Sequence, residues 1–312
     1  MDMIEPKILT HADILENNLT EDSDPVWDPA TAYTVATAGS EVTSVRIPWE
    51  ADQTTPVMPV KRYELIKDSA AGHYPPDHPS EWMDQGATNR WRMFNGDLEL
   101  PAVADGTEST DPGKIAVKIR SGKMDAVGLF GLVATGVTFE LYDSSDLLLE
   151  TRTYDLMESG NIFSWSTFFY EDRYYRRDLL HDFDLYHVSS LKFILEDTRQ
   201  DSFPQLGYCL IGKRRYLGQT RYGLRTTALD FGQTFAKLLE ADAHVDADKL
   251  DYVQGLLSKL YDIPIILQAN NPGIDFESFL VLGKYKSFDL AYANDRRIPL
   301  NIQMQGLTQQ KR

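Results

Sequence analysis

Alternation of apolar and polar residues with a period of two constrains this chain most, and it dominates the sequence after residue 113. The runs KIAVKIR (114–120), VTFELYD (137–143) and LKFILED (191–197) share it, with apolar positions at Ile115, Val117, Ile119, Val137, Phe139, Leu141, Leu191, Phe193 and Leu195. Alternation of this kind is typical of antiparallel strands that cover a core on one face. We therefore expect an antiparallel β-sandwich, of the jelly-roll type, over residues 114–312.

Other segments add to this sandwich. The near-continuous apolar run AVGLFGLVATGV (126–137) predicts a strand that is covered on both faces, and Leu300, Ile302 and Met304 alternate with polar residues near the C-terminal end. One amphipathic helix is predicted over 246–262. Its apolar face holds Leu250, Val253, Leu257 and Leu260. Acidic residues at its start favour the helix N-terminus, and Pro264 is expected to stop it.

The sequence divides into four segments. Residues 1–24 are predicted to form an extended, acidic N-terminal arm, and residues 25–99 a small aromatic-rich β module. Six prolines between positions 48 and 79 predict short strands and loops there. Residues 100–113 are small, polar and Gly/Pro-containing, which predicts a linker to the sandwich of 114–312. We expect a mainly β protein with one helix.

Composition narrows the classes of function. The 312 residues carry a net charge of −16, which argues against nucleic acid as a partner because phosphate binding needs clustered Lys and Arg. The longest apolar runs are too short to insert into a bilayer. The first residues show no secretory signal, so synthesis in the cytoplasm is expected. The single Cys209 excludes an intrachain disulfide, and its apolar surroundings predict a buried thiol.

Motifs for catalysis are missing from the sequence. It has no Gly-x-Ser-x-Gly elbow, Walker loop or dinucleotide fingerprint. The run HDFDLYH (181–187) lacks the helical spacing of a zinc site, and DAHVDAD (242–248) lacks the glycine of a calcium loop. A glycosidase would need two carboxylates in one cleft, which sequence alone does not reveal. We therefore expect no enzyme, no metal site and no cofactor.

Aromatic residues are concentrated in the small module. Five of them, Trp27, Tyr33, Tyr63, Trp82 and Trp91, lie in a unit of roughly 70 residues that contains few long aliphatic runs. Three interpretations remain open for each ring: a place in the module's core, a protein interface, or a platform on which a sugar stacks.

The order of these residues resembles the small carbohydrate-binding module of chitinases. The matching positions are Trp27, Tyr33, Gly39, Val42, Tyr63, Pro75 and Trp82, with Ser40 where that module has aspartate. The resemblance implies a β module whose aromatic residues bind a glycan or a partner protein.

Longer segments extend a resemblance over nearly the whole chain. They are IEPKILTHADILENNLTEDSDPVW (4–27), KRYELIKDSAAGHYP (61–75), WMDQGATNRWRMFNG (82–96), WSTFFY (165–170), GKRRYLGQTRYG (212–223) and LNIQMQGL (300–307). In this order they resemble a family of tailed-bacteriophage virion proteins that join such a module to a β-rich domain. The resemblance implies a joint between the two parts at Asn89, Arg90, Trp91 and Phe94, with the two rings buried.

Two functions follow as hypotheses. The first is a non-enzymatic component of a phage tail tip or baseplate. It would be located in the virion within a multichain assembly, dock to other tail subunits or tail fibres, and contact host-surface polysaccharide. The alternative is a free or cell-associated glycan-binding protein.

Overall fold

The computed structural model describes residues 1–36, 42–105, 111, 113–158, 165, 173–183, 188–199, 202–220, 224–232, 234–268, 279–290 and 297–310. The described chain is mainly β, as the sequence predicts. Its strands are β1 Asp2–Pro6, β2 Ile14–Asn17, β3 Ser44–Trp49, β4 Pro56–Leu65, β5 Trp82–Ala87, β6 Ala102–Val103, β7 Lys114–Arg120, β8 Ala126–Phe130, β9 Gly136–Tyr142, β10 Leu148–Asp155, β11 Met157–Glu158, β12 Tyr174–Tyr175, β13 Asp178–Asp182, β14 Ser190–Glu196, β15 Gln205–Leu206, β16 Tyr208–Tyr216, β17 Gln219–Thr220, β18 Arg225–Asp230, β19 Thr234–Asp246, β20 Ile265–Gln268, β21 Leu280–Leu290, β22 Arg297–Gly306 and β23 Gln309–Gln310.

These strands form two principal sheets, a three-stranded sheet and two small two-stranded sheets, β11-β12 and β15-β6. The large sheet has the order β13-β8-β16-β1-β20-β21-β22-β19-β17, with β18 and β23 also paired to β19. The five-stranded sheet has the order β10-β9-β14-β7-β2, and the module sheet has the order β3-β4-β5. The strand pairs in these sheets are antiparallel. The predicted antiparallel β architecture is confirmed.

The sandwich core lies between the five-stranded sheet and the β13-β8-β16 part of the large sheet. All nine apolar residues predicted on β7, β9 and β14 are buried in it. They face Val127 and Leu129 of β8, and Cys209 and Ile211 of β16. The period of two therefore identified the buried face of each strand.

Strand β8 is covered on both faces, as its continuous apolar run predicts. Val127 and Leu129 enter the sandwich core, whereas Ala126 and Phe130 enter a second core on the opposite face. Between them, a Cβ built on Gly128 would lie 2.4 Å from Ile266 Cδ1. Because Gly128 has no side chain, the side chain of Ile266 on β20 can pack directly against the backbone of β8.

The helix covers the other half of the large sheet. A 3₁₀ turn, Ala247–Lys249, leads into helix α1, Leu250–Lys259, so the helical segment is shorter than the predicted 246–262. The helix ends before Pro264 is reached. The amide of Leu260 donates to the carbonyls of both Leu256 and Leu257, which tightens the last turn. Val253, Leu257 and Leu260 pack on β19 to β22, and Leu250 is only half-buried.

The N-terminal segment is part of the chain's own sheets. Strand β1 lies between β16 and β20, with Asp2 opposite Tyr216 on one side and Gln268 on the other. Strand β2 pairs with β7, and Leu19 is buried in the sandwich core. Within the predicted arm, residues 2–6 and 14–17 are extended, as expected. Both segments are strands that pair with other strands of this chain.

The predicted linker contributes to the core before residue 106. Ala102 and Ala104 are fully buried in the sandwich core, and β6 pairs with β15. The small apolar residues of the run PAVA fit between the packed strands. Residues 106–110 and 112 lie outside the described part.

The module sheet contains one strand longer than the prolines predict. Strand β4 has ten residues and includes both Pro56 and Pro59. Its register with β3 shifts between the pairs Ile47–Lys61 and Trp49–Pro56. Pro59 lies in this shifted stretch, where its missing N–H removes no regular ladder bond.

Candidate functional site

The four predicted aromatic candidates lie together in the core of the small module. Trp27, Tyr63 and Trp82 are buried, and the half-buried Tyr33 packs against them. Tyr33 meets Trp82 edge to face, with ring centroids 5.2 Å apart. Burial raises the pKa of Tyr63, so its phenol stays neutral. In this placement the rings contact one another, which matches the core interpretation of the three left open by the sequence.

The segment Asn89–Phe94 is a 3₁₀ helix between the module sheet and the sandwich. The buried Asn89 side chain donates to Val103 O at 2.8 Å and accepts from Val103 N at 2.9 Å. Phe94 packs against the sandwich core, and Trp91 packs with Val60 of β4. The residues of the expected joint therefore contact both parts of the chain.

Glu21 of the N-terminal segment organises this joint. Its carboxylate accepts from Trp91 Nε1 at 2.5 Å and from Thr88 Oγ1 at 3.3 Å. It also lies 3.8 Å from Arg90 Nε and 3.9 Å from Arg46 Nη1. Sequence analysis missed this role, because an acidic residue in a polar run has no local signal for a partner about 70 positions away.

The turn between β9 and β10 exposes three consecutive leucines, which we call the leucine tip. Leu147, Leu148 and Leu149 are 63%, 48% and 44% exposed. The Asp143 carboxylate accepts from the amides of Ser145 and Leu147 at 2.8 and 2.9 Å, which fixes the turn. Sequence analysis did not single out this run, although adjacent exposed apolar residues are rare outside contact surfaces.

Strand β10 continues from the leucine tip along the edge of the five-stranded sheet. Its residues 148–153 are exposed on both faces, and among the described residues it pairs only with β9. An edge of this kind presents backbone groups that a strand from another chain can pair with. The tip and the edge together form an ordered, partly apolar surface.

A second surface feature is a cleft of about 450 Å³, which we call the arginine cleft. It is lined by Leu132, Val133, Arg173, Tyr174, Tyr175, Arg177, Arg199 and Phe235. The Arg199 guanidinium lies 4.6 Å from the centre of the Tyr175 ring and pairs with Asp197 at 2.5 Å. Arginines beside aromatic rings can hold a carboxylate and an apolar ring face at once, and in this cleft Arg199 already holds the Asp197 carboxylate.

The segments examined for metal ligands in the sequence have different roles. His181 is buried and stacked on Phe139, with ring centroids 4.4 Å apart. Asp182 pairs with Arg214 at 2.6 Å, and residues 184–187 lie outside the described part. Residues 242–246 end strand β19. The thiol of Cys209 is free and buried, and burial raises its pKa.

A cluster that sequence analysis missed lies in the loop between β4 and β5. His73, His78 and Glu81 place ligand atoms within 4.8 Å of one another, and we call them the His–Glu cluster. Hydrogen bonds from Ser69 and then from His73 lower the pKa of Glu81, so its carboxylate is ionised at neutral pH. His78 and Glu81 have the i, i+3 spacing of a helix, but the five-residue step from His73 to His78 does not continue it, so the three residues together give no periodic signal in the sequence.

No helix in the described part of the chain is long and apolar enough to cross a membrane. Comparison with known proteins found no family model, no curated protein and no solved structure that matches the chain.

Proposed function

We propose that the chain is a non-enzymatic structural component of a phage tail tip or baseplate, which docks to other tail proteins or fibres through the leucine tip and the edge of β10. The observation that carries this proposal is the exposed apolar tip beside strand β10, which pairs only with β9 among the described residues. The resemblance to virion proteins over most of the chain supports the same proposal.

The leucine tip is suited to a permanent contact. Its turn is held by Asp143, so little conformational freedom is lost when a partner covers it. The exposed leucines offer apolar area that releases about 25 cal/mol per Å² when it is buried. On β10, Arg152 pairs with Glu150 at 2.5 Å, and such charges help an isolated chain resist indiscriminate strand pairing.

Replacing Leu147, Leu148 and Leu149 together with serine should remove the chain from virions without unfolding it. A loss of about 2.7 kcal/mol in contact energy lowers affinity about a hundredfold. The measurement is the copy number per particle, by quantitative mass spectrometry of purified phage. Tyr261→Ser, at another exposed site, serves as control and should be incorporated like the wild type. Virions that lack the wild-type chain would overturn the proposed function, and normal incorporation of the triple variant would overturn this docking surface.

A second candidate function, glycan binding, is favoured by the arginine cleft. The chain is strongly acidic, yet three arginines line this one cleft beside three aromatic residues. Arginine binds carboxylates through paired N–H donors, and a tyrosine ring packs on the apolar face of a sugar. The cleft therefore suits an acidic polysaccharide, whereas the four aromatic residues of the small module are committed to its core.

Changing the exposed Arg173 to glutamine should weaken binding of an acidic polysaccharide about tenfold, since one charge-assisted hydrogen bond contributes about 1.5 kcal/mol or more. Polyuronic and polysialic acids, titrated against the full chain, are the probes. Arg225→Gln, on the exposed surface of β18, should bind like the wild type. If the wild-type chain binds neither polymer, this second function is withdrawn.

A further inference from the structure

The His–Glu cluster is built by the backbone of the loop between β4 and β5. His78 closes the 3₁₀ turn Pro75–Asp77, and its carbonyl accepts from the amides of Glu81 and Trp82 at 3.0 Å each. The carbonyl of Glu81 in turn accepts from Ile66 N at 2.8 Å. These bonds tie His78 and Glu81 to each other and to the end of β4. The cluster is therefore part of an ordered loop.

The ligand atoms of the three side chains lie within 4.8 Å of one another. His73 Nδ1 lies 2.9 Å from Glu81 Oε2, and the rings of His73 and His78 stack with centroids 4.1 Å apart and planes 2° from parallel. Two imidazoles and a carboxylate are a common ligand set for Zn²⁺. Zinc bonds of about 2.0–2.1 Å in a tetrahedron place ligand atoms about 3.4 Å apart. A ligating imidazole nitrogen points at the metal within the plane of its ring, so binding of zinc by both histidines requires one ring to turn out of the stack.

A second layer of hydrogen bonds orients the carboxylate. Ser69 Oγ donates to Glu81 Oε2 at 2.6 Å, and the same hydroxyl accepts from Trp82 Nε1 at 3.0 Å. Ser69 and Trp82 are both buried, and the backbone of Ser69 pairs with that of Tyr33. Ligating carboxylates in metal sites are typically held by partners of this kind. Glu81 is thus fixed by the core of the module, which a chance surface cluster would not require.

We propose that His73, His78 and Glu81 bind a Zn²⁺ ion that fastens the loop between β4 and β5 to the module core. The side chain of His73 is 38% exposed, so water has access to the fourth position of the ion. A bound zinc ion would add stability to the module, whose main core contains seven buried apolar residues among the described ones. Domains of this size commonly add a metal or disulfides to a small core, and the chain has a single cysteine. This inference goes beyond the proposed function and does not depend on it.

The alternative is that His73 and Glu81 form only an ion pair, with His78 stacked beside them. An ion pair needs no metal, gains nothing from added zinc and does not require the second histidine. A zinc site requires all three side chains. Substitution of His78 therefore separates the two interpretations, because His78 contributes a ligand atom but its side chain has no hydrogen bond to Glu81 among the described contacts.

The test is titration of the full metal-free chain with Zn²⁺ by calorimetry, and with Co²⁺ by its visible absorption. We expect one ion per chain and a higher temperature of thermal unfolding with Zn²⁺. His73→Gln and His78→Gln should each lower affinity at least tenfold, and Ser69→Ala about tenfold through the second layer. Glu64→Gln, which changes a carboxylate of the same module outside the cluster, should bind like the wild type.

Several results would overturn the proposal. They are the absence of Zn²⁺ binding by the wild-type chain, binding that His78→Gln leaves unchanged, and binding that Glu64→Gln weakens equally. Circular dichroism of each variant before titration shows that it is folded. Because both histidines are at least partly exposed, we expect their variants to keep the module fold even if Ser69→Ala does not.

Discussion

Replacing Trp82 with alanine should destabilise the small module by about 3–5 kcal/mol, the cost of removing a large buried aromatic side chain. Trp82 is 1% exposed and packs with six other buried residues. Its Nε1–H also supplies the buried Ser69 hydroxyl with a hydrogen bond of 3.0 Å. So small a core has no reserve for a cavity of this volume, and a loss of this size approaches the whole stability of a small unit.

Thermal and urea unfolding, followed by tryptophan fluorescence and circular dichroism, measure this effect. Trp49→Ala is the matched control, because Trp49 belongs to the same sheet and is 40% exposed. It should cost about 1 kcal/mol or less. A Trp82→Ala variant that unfolds like the wild type but loses polysaccharide binding would instead show that the ring is a sugar platform.

Acidification should weaken the sandwich through His181. Burial lowers the pKa of this imidazole to about 4, from an ordinary value of 6.5. Between pH 6.5 and 4 the unfolded chain takes up a proton that the folded chain does not, so the free energy of unfolding falls as the pH falls through this window. The resulting loss in the free energy of unfolding is about 3 kcal/mol and is reached near pH 4. Above pH 6.5 this group contributes no pH dependence.

His181→Phe should remove that part of the acid sensitivity. The ring of His181 is stacked on Phe139, so a phenyl group fits the same space, and Nε2 of His181 has no hydrogen bond in the described structure. Urea unfolding at pH 7 and at pH 4.5 provides the measurement. Tyr154→Phe removes the 2.9 Å hydrogen bond to His181 Nδ1 but keeps the imidazole, so it should retain the acid sensitivity. If His181→Phe loses as much stability between pH 7 and pH 4.5 as the wild type does, the acid sensitivity comes from carboxylates instead.

Local pattern was enough to predict strands β7, β9 and β14 and the presence of the helix, although not the bounds of the helix. Val117, Phe139 and Phe193 are buried because alternation within a strand decides which side chains face the core. The order of strands in the large sheet was not predictable in this way. It places β1 between β16 and β20, and such pairing depends on complementary surfaces far apart in the chain, which periodicity does not encode.

The surface features were harder to predict than the core. The aromatic residues of the small module were found from the sequence because they are large and concentrated, but their exposure depends on packing. The His–Glu cluster depends on the path of a loop held by Ser69 and Trp82. The exposure of the leucine tip depends on the position of β10 at the edge of the five-stranded sheet. In each case the deciding quantity is the position of a side chain relative to a distant segment.

The central position of β1 also has a consequence for biosynthesis. Residues 2–6 are synthesised long before their partners, Gly212–Tyr216 and Ile266–Gln268. The two halves of the large sheet cannot be bridged until residue 268 has emerged from the ribosome, so β1 waits for both of its neighbours. Contacts over such sequence separations fold slowly, and unpaired edges stay open to other chains in the meantime. During its synthesis the chain therefore exposes strand edges on which other chains can aggregate.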